Sequence, residues 1–315
     1  MPYDYCLSTG KPLSGTEKEI GWTKGAMRHV FGCDSLPNIQ LSDEAFLATA
    51  MQHVEHGTTV SGVQKKLSIG FIKSGNHKLT MVGYPAGYLL KPQSPEGPYF
   101  PESENLVMQL ADIAGIPTVP HGLIALDNGL AYICKRIDRE GERKIPMEDF
   151  CQLSLHLTED KYIGSYEAAK KVIASYSCRP KLDAAEYLYR LIFCFLTLNS
   201  DMHLKNFSLW DKGSGYCLSP AYDLLPVNLV FPSDLEETAL TLNGKKKGIV
   251  FEDFLRLASA GSESVRVEER VLRKMVSRLF SLQEKFEDAV EKSYLSKEYK
   301  QRFISLMLER FEKLK

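Results

Sequence analysis

From Ala185 to Asn199 the chain reads AEYLYRLIFCFLTLN, an almost unbroken apolar run with aromatics at Tyr187, Tyr189, Phe193 and Phe195. At that length and composition it predicts a buried helix. A loop leaving such a helix is rooted in the core, and the loop here is NSDMHLKNFSLW, which places Asp201, His203, Lys205 and Asn206 within six residues. The next segment, FSLWDKGSGYCLS, alternates around a Lys-Gly-Ser-Gly turn and predicts a hairpin. That hairpin would bring a second acid, Asp223 of SPAYDLLP, 22 positions after the first, back beside Asn206. One carboxylate to orient and deprotonate a hydroxyl, with an Asn and an Asp to hold Mg²⁺ against nucleotide phosphates, is a set of parts suited to phosphoryl transfer. Asp and Asn also crowd ordinary turns. The buried helix before this loop and the hairpin after it weigh against that plainer reading.

The elements upstream are of a different kind. LSDEAFLATAMQHVEHG predicts a helix, with Ser42 as N-cap, acids at Asp43 and Glu44, and a stop at Gly57. TTVSGVQKKLSIGFIKSGNHKLTMV predicts paired strands about a Ser-Gly-Asn-His turn, and GYLLKPQ a further strand. PESENLVMQLADIAG places Leu106, Val107, Leu110 and Ile113 at helical spacing and stops at Gly115. HGLIALDNGLAYICKRID predicts a hairpin turning at Asp127-Asn128-Gly129. From about Lys144 onward MEDFCQLSLHL, SYEAAKKVIASY, VEERVLRKMVSRLFSLQEKFEDAVEKS and EYKQRFISLMLERFEKL all predict amphipathic helices whose apolar faces pack inward. The sequence therefore predicts an α+β, two-lobed, protein-kinase-like fold. Residues 1–140 would form a β-rich nucleotide-binding lobe, and residues 141–315 an all-α lobe carrying the catalytic loop and the metal-binding Asp. KPQSPEGPYFPESEN, Lys91 to Asn105, is the most loop-like stretch.

Charge and cysteine usage narrow the partners. Lys and Arg number 39 against 40 Asp and Glu, so nothing favours a nucleic-acid groove or an anionic membrane as the main partner. The seven cysteines form no CxxC pair, and several lie in apolar runs, which predicts reduced thiols in a cytoplasmic protein. The opening MPYDYCLSTGKPLSG lacks the apolar core of a signal peptide, and no window has the length of a membrane span without charge.

In such a two-lobed arrangement the nucleotide lies in the crease. Lys91 on GYLLKP is the candidate to neutralise its phosphates, and Glu104 at the start of the next helix is the candidate ion-pair partner of Lys91. TTVSGVQKK, Thr58 to Lys66, best fits a phosphate-covering loop of small residues and backbone donors, although it holds one glycine and is no Walker A.

SGVQKKLSI, LLKP, ESENLVMQLADIAG, CKRIDR, EDFCQL, NSDMHLKNFSL and SPAYDLLP follow one another in the order seen in the HipA family of bacterial serine/threonine kinases, the toxins of toxin–antitoxin modules. The resemblance runs from about Gly57 to beyond Pro226, and the last two motifs are the most specific. Within the family the chain looks most like the short HipT form, since the additional small N-terminal subdomain of longer members is not found in this sequence.

The resemblance implies roles position by position. Asp201 matches the catalytic base, and Asn206 and Asp223 match the Mg²⁺ ligands. Lys91 matches the lysine on the phosphates of ATP. Ser61, Gly62 and Val63 fall in the phosphate loop. Cys134, Lys135, Arg136 and Ile137 match the segment lining the adenine pocket, with Asp138 near the ribose. His203 and Lys205 sit in the catalytic loop, to contact phosphate or orient Asp201. Two departures stand out. The place of the inhibitory serine of longer members is taken by Phe100, and the Ser-Ile-Ser of the short form is Thr59-Val60-Ser61 here. Autophosphorylation is accordingly expected at Ser61 and at Thr59. The family also implies a protein substrate of the aminoacyl-tRNA synthetase kind, a DNA-binding antitoxin, and a small companion protein in place of the N-terminal subdomain. Direct binding to nucleic acid or membrane is not expected. The residues alone leave open a small-molecule phosphotransferase or a non-catalytic nucleotide-binding module.

Overall fold

The computed structural model describes residues 2–39, 66–72, 78–81, 87–127, 129–141 and 143–315. The chain divides into two compact units, Met1–Asn105 with Val119–Lys144, and Leu106–Thr118 with Ile145–Lys315. The division falls within the helix Phe100–Ala114.

The first unit is built on a six-stranded sheet. Its strands are β1 (Asn38–Ile39), β2 (Leu67–Ile72), β3 (Lys78–Met81), β4 (Tyr88–Lys91), β5 (His121–Leu126) and β6 (Gly129–Lys135), in the order β1-β3-β2-β4-β6-β5, and a separate ribbon pairs β7 (Arg139–Glu140) with β8 (Arg143–Lys144). Only the β1–β3 pair is parallel; every other neighbour is joined antiparallel, as short connections between consecutive strands allow. Leu67 and Ile69 are buried while Ser68 and Gly70 are half-buried, the period-two pattern of a strand with one face on the core. The β2–β3 and β5–β6 hairpins both form as the sequence suggests. In the second, Leu126 lies opposite Gly129, whose φ of +134° suits glycine. The Ser-Gly-Asn-His turn, the helix expected over 41–57 and Asn128 lie outside the described residues.

Residues 2–39 hold structure that composition did not signal. Two short helices, Glu17–Ile20 and Lys24–Phe31, frame the fully buried Trp22, and Thr23 caps the second by accepting from the Ala26 N–H at 3.2 Å. The Trp22 indole donates to the Leu123 carbonyl at 3.1 Å. Its ring lies where a Cβ on Gly122 would fall 2.4 Å away, so β5 needs glycine at that point. Leu123 N–H donates to the Leu7 carbonyl (2.9 Å), and Ser8 Oγ to the His121 carbonyl (2.7 Å). Asn105 Nδ2 donates to Leu7 O at 3.1 Å while its Oδ1 meets His121 Nδ1 at 3.0 Å, which stitches the segment onto β5.

The second unit is mainly helical, with helices Tyr166–Tyr176, Pro180–Leu196, Phe251–Ser259, Glu269–Ser281, Gln283–Lys292 and Lys297–Lys313. Pro180 opens the second of these at a position where its missing N–H costs nothing. That helix is the predicted apolar one, and Tyr187, Leu188, Ile192, Phe193 and Leu196 are all fully buried. Tyr187 packs on Phe207 at 4.8 Å and on Phe150 at 6.1 Å between ring centroids, Phe195 on Phe254 at 5.7 Å, and Phe193 on Phe286 at 6.2 Å. Burying each such ring contributes about 1.5–3 kcal/mol, so the loop that follows this helix starts from a buried aromatic cluster.

Beside these helices the unit carries a three-stranded antiparallel sheet, ordered β11 (Cys217–Leu218), β10 (Ser208–Trp210), β9 (Met147–Asp149). The β10–β11 pair is the hairpin expected about Lys212–Gly215. Two helix predictions are corrected. MEDFCQLSLHL is not one helix, because Met147–Asp149 pairs with β10, Asp149 caps a single turn at Phe150–Leu153, and Leu155 at φ +58° leaves the helical region. The long segment beginning at Val267 breaks at Leu282 into two helices. Both errors arise because periodicity reports a buried face, not the partner that buries it.

Candidate active site

The end of the Pro180–Leu196 helix fixes the candidate catalytic loop through its backbone. Thr197 N–H donates to the Phe193 carbonyl and Asn199 N–H to the Cys194 carbonyl, both at 2.9 Å, while Leu198 turns the chain at φ +65°. Asn199 then reaches forward, its Oδ1 accepting from the Asp201 N–H at 3.1 Å. His203 N–H donates to the Asp201 carbonyl (2.8 Å), Asn206 N–H to the His203 carbonyl (3.0 Å), and residues 204–206 close a 3₁₀ turn. His203 and Asn206 are buried by this turn. The Asp201 side chain is 41% exposed, so within this loop it is the carboxylate open to solvent.

Each polar side chain of the loop is held. Tyr162 O–H donates to Asp201 Oδ1 at 2.7 Å, and His203 Nε2 lies 4.0 Å from Asp201 Oδ2. Asn206 Nδ2 donates to the Asp201 carbonyl at 2.8 Å. The Lys205 ammonium donates to Asp149 Oδ2 at 2.8 Å, so it lies against β9 rather than on Asp201. Tyr222 O–H donates to the Lys205 carbonyl at 3.0 Å and lies 2.5 Å from Ser208 Oγ, which ties the residue before Asp223 to the same loop. Asp223 itself sits at φ +58°, a left-handed conformation that Asp tolerates better than most residues and that costs about 1–2 kcal/mol. Burial pushes the Tyr162 phenol well up from its ordinary value. Asp201 adds to this through its charge and hydrogen bond, and the charges of Asp223 and Asp234 act in the same direction. The phenol is therefore a donor throughout the neutral range.

In the first unit, Lys91 at the end of β4 meets Glu104 Oε1 at 2.6 Å. The two side chains are 3% and 1% exposed, and the ammonium also lies 5.4 Å from the centre of the Tyr132 ring. Cys134 and Lys135 end β6, where Arg136 N–H donates to the Gly87 carbonyl at 2.8 Å. Arg136 forks onto Asp138, Nε to Oδ1 at 2.9 Å and Nη2 to Oδ2 at 2.6 Å. Burial alone would raise the Asp138 carboxyl; the hydrogen bonds and charge of Arg136, helped by Arg139, outweigh it and hold the group below its ordinary value. Ile137 follows Arg136 in the same segment. Thr59, Ser61, Gly62 and Val63 of the phosphate-loop expectation lie outside the described residues.

Two contributors escaped the sequence reading. Tyr162, in the loop TEDKYIGSY, has no local pattern that points to it. Asp149 was readable only as a helix cap, through its spacing to Gln152, and the structure shows that capping box together with the ion pair to Lys205.

A family model described as the HipA-like C-terminal domain matches residues 58–286, a span that contains Asp201, Asp223 and the Lys91–Glu104 pair. The chain belongs to the HipA-like family. A Haemophilus influenzae protein provisionally named a kinase is 27% identical to this HipA-like chain over 255 residues, covering 76% of this chain and 73% of its own. Y4dM of Sinorhizobium fredii, also provisionally named a kinase, is 29% identical over 239 residues, 70% of this chain and 58% of its own. HipA of Shewanella oneidensis, solved with HipB and operator DNA, superposes with a TM-score of 0.65 at 18% identity over 85% of this chain and 70% of its own. The Helicobacter pylori proinflammatory kinase CtkA gives a TM-score of 0.53 at 16% identity, over 79% of this chain and 93% of its own. The fold is thus the α+β kinase-like fold that the sequence suggested. Among the described residues no helix is long and apolar enough to cross a membrane.

Proposed function

We propose that this HipA-like protein is an ATP- and Mg²⁺-dependent serine/threonine protein kinase, the toxin of a toxin–antitoxin module. The observation that carries the reading is the catalytic loop. One half-exposed carboxylate, Asp201, projects from a buried turn in which the side chains of Asn199 and Asn206 are held by hydrogen bonds. In the reaction the acceptor's oxygen forms a bond to the γ-phosphorus and the bond from that phosphorus to the β–γ bridging oxygen breaks. ADP leaves, and Asp201 takes the acceptor's proton.

The donor set fits Mg²⁺. Asn206 gives its Nδ2 to the Asp201 carbonyl, which leaves the amide oxygen as the atom that would face a cation, and Asp223 would add a carboxylate. Two hard oxygen ligands suffice for a metal that keeps waters and phosphate oxygens around it, and no group of three or more His, Cys, Asp or Glu able to hold a metal occurs among the described residues. Bound there, Mg²⁺ would neutralise charge on the transferring phosphates. Lys91 would neutralise more, positioned by Glu104. The division of roles follows the expected domains, residues 1–140 binding nucleotide and residues 141–315 supplying Asp201 and the metal ligands.

Family membership supports three further proposals: a protein substrate of the aminoacyl-tRNA synthetase kind, autophosphorylation at Ser61 or Thr59, and a DNA-binding antitoxin. The last draws on the Shewanella structure, in which HipA was solved with HipB. A small companion protein and a cytoplasmic location belong to the same reading. The test is transfer of labelled γ-phosphate from Mg-ATP in a host lysate supplemented with tRNA, comparing wild type with Asp201→Asn. A labelled protein that disappears with the variant supports the proposal. Transfer only to a sugar or other small molecule replaces it with a small-molecule phosphotransferase, and nucleotide binding without any transfer makes the chain a binding module.

A further inference from the structure

Tyr162 lies on the loop after the 3₁₀ turn Thr158–Asp160, and three contacts fix its ring and hydroxyl. The O–H donates to Asp201 Oδ1 at 2.7 Å. The ring meets His203 edge-on, with centroids 5.0 Å apart and planes at 77°. The Lys161 ammonium lies over the ring at 4.9 Å from its centre. A backbone bond joins this loop to the candidate catalytic loop, Leu204 N–H donating to the Lys161 carbonyl at 3.2 Å, and Ile163 N–H closes the tyrosine's own turn by donating to the Asp160 carbonyl at 2.8 Å. Gly164 follows at φ +127°, a conformation reserved for glycine, and its carbonyl accepts from Thr241 Oγ1 at 3.2 Å. The loop is thus fixed on both sides of the tyrosine.

An aspartate with 41% of its side chain in solvent has two torsions to settle. Phosphoryl transfer depends on an acceptor hydroxyl held in line with the phosphorus, and a displacement of about 1 Å there costs about a hundredfold in rate. We propose that Tyr162 is the positioning residue of the reaction, its hydroxyl selecting the Asp201 rotamer that orients the acceptor. This inference rests on the reading of Asp201 as the acceptor-orienting carboxylate.

The experiment measures the initial rate of γ-phosphate loss from labelled Mg-ATP, to water, to the chain and to host lysate proteins, for the full chain and its variants Tyr162→Phe, Tyr162→Leu and Asp201→Asn. Binding of a fluorescent ATP analogue and thermal melting are recorded for each. Positioning through the hydroxyl predicts that Tyr162→Phe lowers kcat by about ten- to a hundredfold, with KM for ATP and nucleotide binding unchanged. Tyr162→Leu, which also removes the ring, is then no slower than Tyr162→Phe. A merely structural ring would leave Tyr162→Phe close to wild type and slow only Tyr162→Leu, and that pattern overturns the inference. A faster Tyr162→Phe overturns it too, because the hydroxyl would then compete with the acceptor, and label recovered on Tyr162 would make the residue an acceptor instead. Equal rates for wild type and Asp201→Asn bring down the phosphotransfer reading itself, a result separate from any of these.

Discussion

Glu104 and Asp201 are both carboxylates of the proposed machinery, and the chain treats them in opposite ways. Glu104 is 1% exposed and meets a lysine that is itself 3% exposed, whereas Asp201 is 41% exposed and meets a tyrosine hydroxyl and a backbone turn. Removing two charges from water carries a desolvation cost of several kcal/mol per ion, offset only by close pairing and by further hydrogen bonds. Lys91 and Glu104 are therefore committed to each other, and their geometry is part of the fold. Asp201 keeps much of its solvent, and its carboxylate accepts a hydrogen bond from the neutral Tyr162 hydroxyl, which orients it without neutralising it. The contrast separates a charge that the fold must satisfy from a charge that the fold leaves open to solvent.

The sharpest way to break this contrast is to remove each carboxylate's function in turn. Asp201→Asn keeps the shape of a half-exposed side chain, so we expect phosphate transfer to fall by about 10²–10⁴-fold with little change in melting temperature. Lys91→Met should do the reverse in emphasis. It strands a buried Glu104 and costs about 3–5 kcal/mol of stability, read as a fall in melting temperature and denaturant midpoint, with nucleotide binding weakened besides. Lys91→Met with Glu104→Leu should recover much of that stability and none of the activity. A double variant as unstable as the single one would show that packing around Tyr132, not the unpaired charge, limits the region.

Much of this was legible from the residues. The helix Pro180–Leu196 and the hairpin β10–β11 announced themselves by apolar density and by the Gly213 and Gly215 turn, because both effects are local. The Lys91–Glu104 pair was readable from a strand followed by an acidic helix start. What was not legible is long-range. Met147–Asp149 becomes a strand only because β10 lies beside it, and a period of hydrophobic residues holds no record of a partner about sixty residues away. Tyr162 meets Asp201 across 39 positions with no pattern at either end. Trp22 finds its place because Gly122 lacks a side chain, which neither segment reveals alone.

The Lys205–Asp149 pair lies between the two extremes, with side chains 23% and 14% exposed, and so grades the comparison. Asp149 also caps the Phe150–Leu153 turn by accepting from the Gln152 N–H at 2.8 Å. Asp149→Ala loses both contacts and should cost about 1–3 kcal/mol. Lys205→Met leaves the cap intact and should cost less in stability. If Lys205 acts on phosphate only after leaving Asp149, Asp149→Ala lowers KM for ATP while Lys205→Met raises it. Parallel changes in KM would mean that the ion pair only supports the loop.

Asp253 offers a buried carboxylate outside the proposed chemistry, and it tests whether burial alone makes the difference. Its side chain is 2% exposed and accepts from Asn243 Nδ2 at 2.8 Å, the Val250 N–H at 3.0 Å and Lys245 Nζ at 2.7 Å. Burial by itself would raise its pKa; the hydrogen bonds from Lys245, Asn243 and the Val250 N–H outweigh burial and hold it below the ordinary value. The unfolded chain therefore takes up this proton first as pH falls. The stabilisation is fully present above the unfolded value of about 3.9 and is lost as pH drops further, through the folded value. Asp253→Asn should cost about 1–2 kcal/mol at pH 7 and leave the transfer rate unchanged, with the gap in melting temperature from wild type narrowing below about pH 4. A gap that stays constant down to pH 3 would assign the loss to packing of the Phe251–Ser259 helix instead of charge, and would place Asp253 apart from Glu104 as a carboxylate whose charge the fold does not depend on.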